Sequence, residues 1–168
     1  MRKKKRKLKI KQEYMNKTIE YLEGIHEDIN AKDSLIEEIE LIKKHIDAYR
    51  DRDYECRRGY EYKTIEDLVV TEETKLCEKE TQLDQILGRE RYLSIYLSKL
   101  NEDHRKVIEL RYLQKSEKLT TYDCIAKKMR LSESTAIRKH RVAIKMITYY
   151  KYGDKCKIND NDGNMTEI

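Results

Sequence analysis

Not one proline interrupts the 168 residues of this chain, and only five glycines do. Little therefore stops a helix once it has begun, and no stretch shows the sustained β-branched alternation of a half-buried strand. The balance of 38% hydrophobic against 41% charged residues leaves no room for one large core. It suits long helices with narrow apolar seams and wide solvated faces. The expected fold class is all-α. Tyrosine supplies all thirteen aromatics, so the core should be Leu and Ile edged by tyrosine hydroxyls.

From Tyr14 onward, Thr18, Tyr21, Leu22, Ile25 and Ile29 recur at helical spacing and predict an amphipathic helix that weakens at Asn30 to Asp33. Ser34 followed by Glu37 reads as a capping box opening a new helix. In that helix Leu35, Ile39, Ile42, Ile46 and Tyr49 have the spacing of a coiled-coil seam. Tyr54 to Lys63, with Gly59, is the expected connection. A further long helix, from Ile65 or Glu66 to Leu100, aligns Val69, Leu76, Leu83, Ile86, Leu93 and Leu97, with Glu90 at a seam position. Gly88 should mark a bend or a close helix crossing. Antiparallel pairing would bury both seams.

Residues 101–152 carry a different pattern. Asn101 can cap a helix in which Val107, Ile108, Leu110 and Leu113 supply an apolar face. After the polar link Gln114 to Leu119, Thr121 to Met129 predicts a short supporting helix with Ile125, Ala126 and Met129 on one side. Leu131 can plug the angle to a second helix that Ser132 caps and that runs from Glu133 to about Tyr149. Ala136, Ala143 and Ile147 form its inner stripe, with His140 and Ile144 at the margins, leaving Ser134, Ile137, Arg138 and Arg141 outward. A hydroxyl, a branched methyl and two guanidiniums are the groups that read base edges in the major groove. This is a helix-turn-helix pattern, and 101–152 is expected to form the DNA-binding unit by itself.

Leu100 to Tyr112, Thr121 to Ala126 and Leu131 to Thr135, in that order and spacing, resemble the fourth region of bacterial sigma factors. The overall layout is most similar to phage and prophage transcriptional activators of the ArpU/RinA type. The resemblance covers about fifty residues and rests on a dispersed pattern of apolar and small positions. It implies Thr121, Ser132, Glu133, Ser134, Thr135, Ile137, Arg138, Arg141 and Lys145 as the DNA-contacting set, with RNA polymerase as a further partner. Three positions depart from the pattern. Arg130 stands where the turn usually has glycine, and it fits only if the backbone avoids a left-handed conformation or accepts its cost. Ala136 replaces a common valine, and Cys124 beside Asp123 replaces a second acidic residue.

Charge is segregated along the chain. Residues 1–11 carry eight basic and no acidic side chains, 12–100 fourteen against twenty-two, 101–152 thirteen against six, and 153–168 two against four. The two positive segments are the ones suited to phosphate, while the acidic middle suits a protein partner or a homodimer through the N-terminal helices. The organisation expected is thus a basic arm (1–13), a coiled-coil-like antiparallel helical region (14–100), the helix-turn-helix domain (101–152) and a disordered tail (153–168). The arm reads about equally as a nonspecific DNA contact and as a solvated helix extension.

Enzymatic chemistry finds no motif. His26, His45, His104 and His140 sit within helical patterns without a nucleophile or phosphate loop. No catalytic residue, cofactor or metal is expected. Cys56, Cys77, Cys124 and Cys156 lie far apart and read as reduced thiols. The stretch 153–163 lacks the first ligand and terminal Glu of a calcium loop. With no apolar run of membrane length, a bacterial cytosolic, nucleoid-associated regulator of transcription is the leading expectation. A small-terminase-like DNA-packaging subunit is the alternative, separable by size in solution, and a helical adaptor without nucleic acid is the third.

Overall fold

The computed structural model describes residues 9–50 and 65–158. Among them are five α-helices, α1 (Gln12–Arg50), α2 (Ile65–Ser98), α3 (Glu102–Tyr112), α4 (Tyr122–Met129) and α5 (Glu133–Tyr152), followed by a 3-10 turn at Gly153–Cys156. Extended pairing among the described residues is a single antiparallel bridge between Ile10 and Lys157. The chain is all-α, as its lack of punctuation requires. The helices fall into two compact units, one spanning residues Asp28–Arg89 and the other the segments Met1–Glu27 and Glu90–Ile168. Sequence periodicity instead placed a boundary at residue 100.

One expectation fails inside α1. The break at Asn30 to Asp33 is absent, and the helix passes through Ser34 and Glu37 without a cap. Asn and Asp in a helix interior cost only tenths of a kcal/mol each, about 0.7 at most, and no glycine or proline stands there to turn that preference into an end. Gly88 likewise lies within α2, and a Cβ placed on it would meet nothing within 4 Å. It therefore marks no close crossing. The expected connection at Tyr54 to Lys63 lies outside the described residues.

The Asp28–Arg89 unit is an antiparallel helical hairpin. Leu35, Ile39 and Ile86 are buried together with Leu76 and Leu83 against them, so this part of the seam read from sequence is used, whereas Leu93 and Leu97 of the same predicted seam are buried in the other unit. Ion pairs flank it: Arg89 to Asp28 at 3.1 Å, Lys79 to Glu38 at 2.6 Å, Lys43 to Glu80 at 2.8 Å and Arg50 to Glu73 at 2.7 Å.

In the other unit the three short helices do not close their core alone. Val107, Ile125, Ala126 and Ala136 form the inner cluster, with Leu110, Tyr122 and Met129 packed on it. Ile108, Tyr112, Ile144, Ile147 and Thr148 are also fully buried, and α1 reaches two of these positions directly. Thr18 and Thr148 share a hydroxyl contact of 2.8 Å, while each hydroxyl also reaches a carbonyl of its own helix, Tyr14 at 2.9 Å and Ile144 at 2.7 Å. His26 Nδ1 donates to the Tyr112 carbonyl at 3.1 Å. Tyr14 packs on Tyr152, and the Lys151 ammonium sits 3.3 Å over the Tyr21 ring. Burial there pushes the Lys151 amine below its usual range.

The tail also departs from expectation. After α5 the chain turns through Gly153–Cys156, Cys156 is fully buried, and its thiol donates to the Gly153 carbonyl at 3.0 Å. The free thiol thus behaves as a small core residue. Order extends at least to Ile158 because the bridge to Ile10 satisfies backbone groups of the tail.

Candidate nucleic-acid interface

The frame begins at α3. The Asn101 side chain accepts the His104 N–H at 3.0 Å, satisfying an orphan donor of the first turn. Arg105 donates through Nε to the Leu97 carbonyl at 3.0 Å and reaches the Leu100 carbonyl at 3.3 Å, which caps the end of α2 and fixes the angle between the two helices. Lys139 of α5 pairs with Asp103 in the first turn of α3. That hydrogen bond holds the Asp103 carboxyl below the ordinary carboxylate range. Burial, with Lys139 nearby, lowers the neighbouring His104.

The turn between α4 and α5 takes the conformation that its arginine makes costly. Arg130 has φ 54° and ψ 47°, the left-handed region. Its N–H donates to the Lys127 carbonyl at 3.3 Å and the Leu131 N–H to the Ala126 carbonyl at 2.9 Å, the paired bonds that close a helix end. An L residue there costs about 1–2 kcal/mol, which the two bonds and the burial of Ile125 and Ala126 offset. Ser132 is extended, and its hydroxyl accepts the Thr135 N–H at 3.3 Å and contacts the Thr135 hydroxyl at 2.8 Å. Thr121 caps α4 in the same way, through the Cys124 N–H at 3.4 Å.

Behind α5 lies a polar lock that periodicity alone does not show. His140 is buried, with Nε2 3.1 Å from the Tyr112 hydroxyl and Nδ1 3.1 Å from the Tyr122 hydroxyl. A neutral imidazole has one donor and one acceptor, so one tyrosine donates and the other accepts. Arg111 lies over the Tyr122 ring at 4.3 Å and donates to the Thr120 carbonyl at 2.8 Å. Burial, helped by the Arg111 charge, lowers the His140 pKa to about 4. Burial also raises Tyr112 to about 12. Both groups are neutral across the physiological range. The available signal was a histidine at the margin of the inner stripe of α5, with a tyrosine on each of the two helices packed against it, since a buried imidazole needs two partners.

The front of α5 carries the predicted set. Glu133, Ser134, Ile137, Arg138 and Arg141 are exposed, Thr135 and Lys145 half-buried. Ser134, Arg138, Arg141 and Lys145 follow one another at helical intervals along one face, and Ile137 lies beside them. Thr121 and Ser132 are exposed but committed to capping, so their first role is to set the helix ends. Ile137, Arg141 and Lys145 also border an open cleft whose other wall includes Ile10, Gln12, Met15 and Ile19 of the N-terminal segment.

A short supporting helix, a tight turn and a second helix with a cationic outer face, held on a third helix, define a helix-turn-helix of the DNA-binding class. Residues 96–147, from the end of α2 into α5, match the family model described as Sigma-70, region 4. No curated protein and no solved structure matches the chain. No described helix is long and apolar enough to cross a membrane, and no described group of His, Cys, Asp and Glu could hold a metal.

Proposed function

We propose that the protein is a sequence-specific, DNA-binding transcription regulator that activates a phage or prophage late operon together with host RNA polymerase. The observation that carries this reading is the exposed Ser134, Ile137, Arg138 and Arg141 face of α5, presented by a frame locked from behind by His140 and matched to sigma-70 region 4. The helix enters the major groove by its N-terminal turns. Arg138 reads a guanine, and Arg141, nearly a turn further on, holds phosphate. The acidic hairpin supplies contact with polymerase or with a second copy.

Binding to a randomised-site library tests the assignment. Arg138→Ala should relax preference at one or two base positions by about 1–3 kcal/mol, whereas Arg141→Ala should weaken all sites evenly. Unchanged preference for Arg138→Ala with binding intact would remove Arg138 from base reading. Light scattering separates the packaging alternative, which requires a ring of many copies where the regulator gives a monomer or dimer.

A further inference from the structure

Among the described residues Arg130 is the one non-glycine with a positive φ. Glycine would take the same left-handed turn without the clash that a Cβ brings. The strain is therefore avoidable, and strain held at a single position points to a role for the side chain that causes it. Nothing inside the protein uses that side chain. Arg130 is exposed, and among the described residues no hydrogen bond, ion pair or ring contact engages its guanidinium. Its basic neighbours on α4 are committed, Lys127 to Asp123 at 2.7 Å and Lys128 to the Gln114 side chain at 3.0 Å. On α5, Lys139 is committed to Asp103, whereas Arg138, Arg141 and Lys145 on the front face are as unengaged as Arg130.

Position gives this free cation its use. Two residues after Arg130, Ser132 opens α5, and its hydroxyl lies 3.3 Å from that of Ser134, the first residue of the outward face. Arg130 thus stands at the end of α5 that enters the groove. We infer that Arg130 is a further DNA contact, a guanidinium that holds a backbone phosphate at the groove edge, and that the left-handed turn is kept in order to present it. The inference rests on the reading of α5 given above. The N–H groups of Arg130 and Leu131 are already spent on the end of α4, so the side chain has to supply the contact. A guanidinium offers a phosphate two parallel donors. Such a contact adds affinity and fixes register without reading a base.

Thermal unfolding and DNA binding at several salt concentrations, both with the full chain, test this. Arg130→Gly removes the strain and the charge together. It should melt about 2–4 °C higher yet bind the selected site roughly tenfold more weakly. The slope of log affinity against log salt should become shallower by about 0.9, with base preference unchanged. Arg130→Asn, which tolerates the left-handed backbone but has no charge, should lose binding to the same extent, while Arg130→Lys should restore the slope and most of the affinity. Affinity and slope equal to the wild type in Arg130→Gly would overturn the inference, as would a loss that Arg130→Lys does not recover or a shift in base preference. A melt no higher in Arg130→Gly would remove the strain on which the inference stands. In each of these cases Arg138→Ala still relaxes base preference, and α5 remains the reader. If the full chain selects no site at all, the reading of α5 fails first and this contact fails with it.

Discussion

In the Asp28–Arg89 hairpin Leu35, Ile39 and Ile86 are buried but retain 5–8% exposure, and charged side chains line both edges of the seam. In the unit that carries the helix-turn-helix, Val107, Ile108, Ile125, Ala136, Ala143 and Ile147 are fully buried, and four polar groups, Thr18, His26, His140 and Thr148, are buried with them. A seam fixes the distance between two helices but tolerates local adjustment, since exposed ion pairs contribute about 0–1 kcal/mol each. A core with buried hydroxyls and an imidazole tolerates only the arrangement that satisfies them, because each orphaned group costs about 1–3 kcal/mol. Rigidity is concentrated where α5 must be aimed.

The largest expected effect breaks the comparison at the level of folding. A 101–152 fragment loses Thr18, Leu22, Ile25, Leu93 and Leu97, all buried in the same unit, and should show no cooperative melt by circular dichroism. This reverses the sequence-based expectation. A chain in which a short linker replaces residues 28–89 should keep that melt. Cooperative unfolding of 101–152 alone would show that the extra segments are dispensable.

Next in size are matched core truncations. Ile108→Ala, at a fully buried site, should cost about 2–5 kcal/mol in urea denaturation, and half-buried Leu83→Ala should cost clearly less. Equal losses would mean that the hairpin is packed as tightly as the motif.

Acid should separate the units further. The folded protein keeps His140 neutral down to about pH 4, while an unfolded histidine takes up its proton near 6.5. Its contribution of roughly 3 kcal/mol is complete above about pH 6.5 and is lost as the pH falls toward 4. Urea midpoints for the wild type should drop between pH 7 and 5, and His140→Gln should flatten that slope. An identical slope in the variant would place the proton uptake elsewhere.

The smallest effect lies in the hairpin. Gly88→Ala should raise stability by about 0.5–1 kcal/mol, because α2 is helical there and nothing stands within 4 Å of the new methyl. A loss on thermal unfolding would reveal a need for glycine that the packing does not show.

Much of this architecture could be read from spacing. Most of the hairpin seam, the caps at Asn101 and Ser132, and the outward set on α5 follow from period and residue type, which local rules capture, whereas Thr121, read as part of its helix and as a DNA contact, caps it from outside. What escaped depended on contacts distant in sequence. Thr18 reads as an ordinary helix position until Thr148 meets it 130 residues later, and Cys156 reads as part of a polar tail until the turn buries it. The supposed cap at Ser34 failed for the opposite reason. A capping motif is a local signal that a continuous helix overrides when no residue forbids helical geometry. Arg130 was legible as an anomaly, and the structure resolves it by accepting the left-handed backbone rather than avoiding it.

The threonine contact in the core also has a counting consequence. Thr18 and Thr148 present two hydroxyl protons to three short contacts, one between them and one to a carbonyl on each helix. Whichever hydroxyl points its proton across the gap leaves its own carbonyl without it, while the other serves its carbonyl and receives the crossing proton on a lone pair. The two arrangements are not equivalent, because the Thr148 hydroxyl lies 2.7 Å from its carbonyl and the Thr18 hydroxyl 2.9 Å from its own. The oxygens are thus held in place while the protons keep a choice of two arrangements, so a junction that is geometrically fixed retains an orientational entropy of at most R ln 2, worth no more than roughly 0.4 kcal/mol at room temperature.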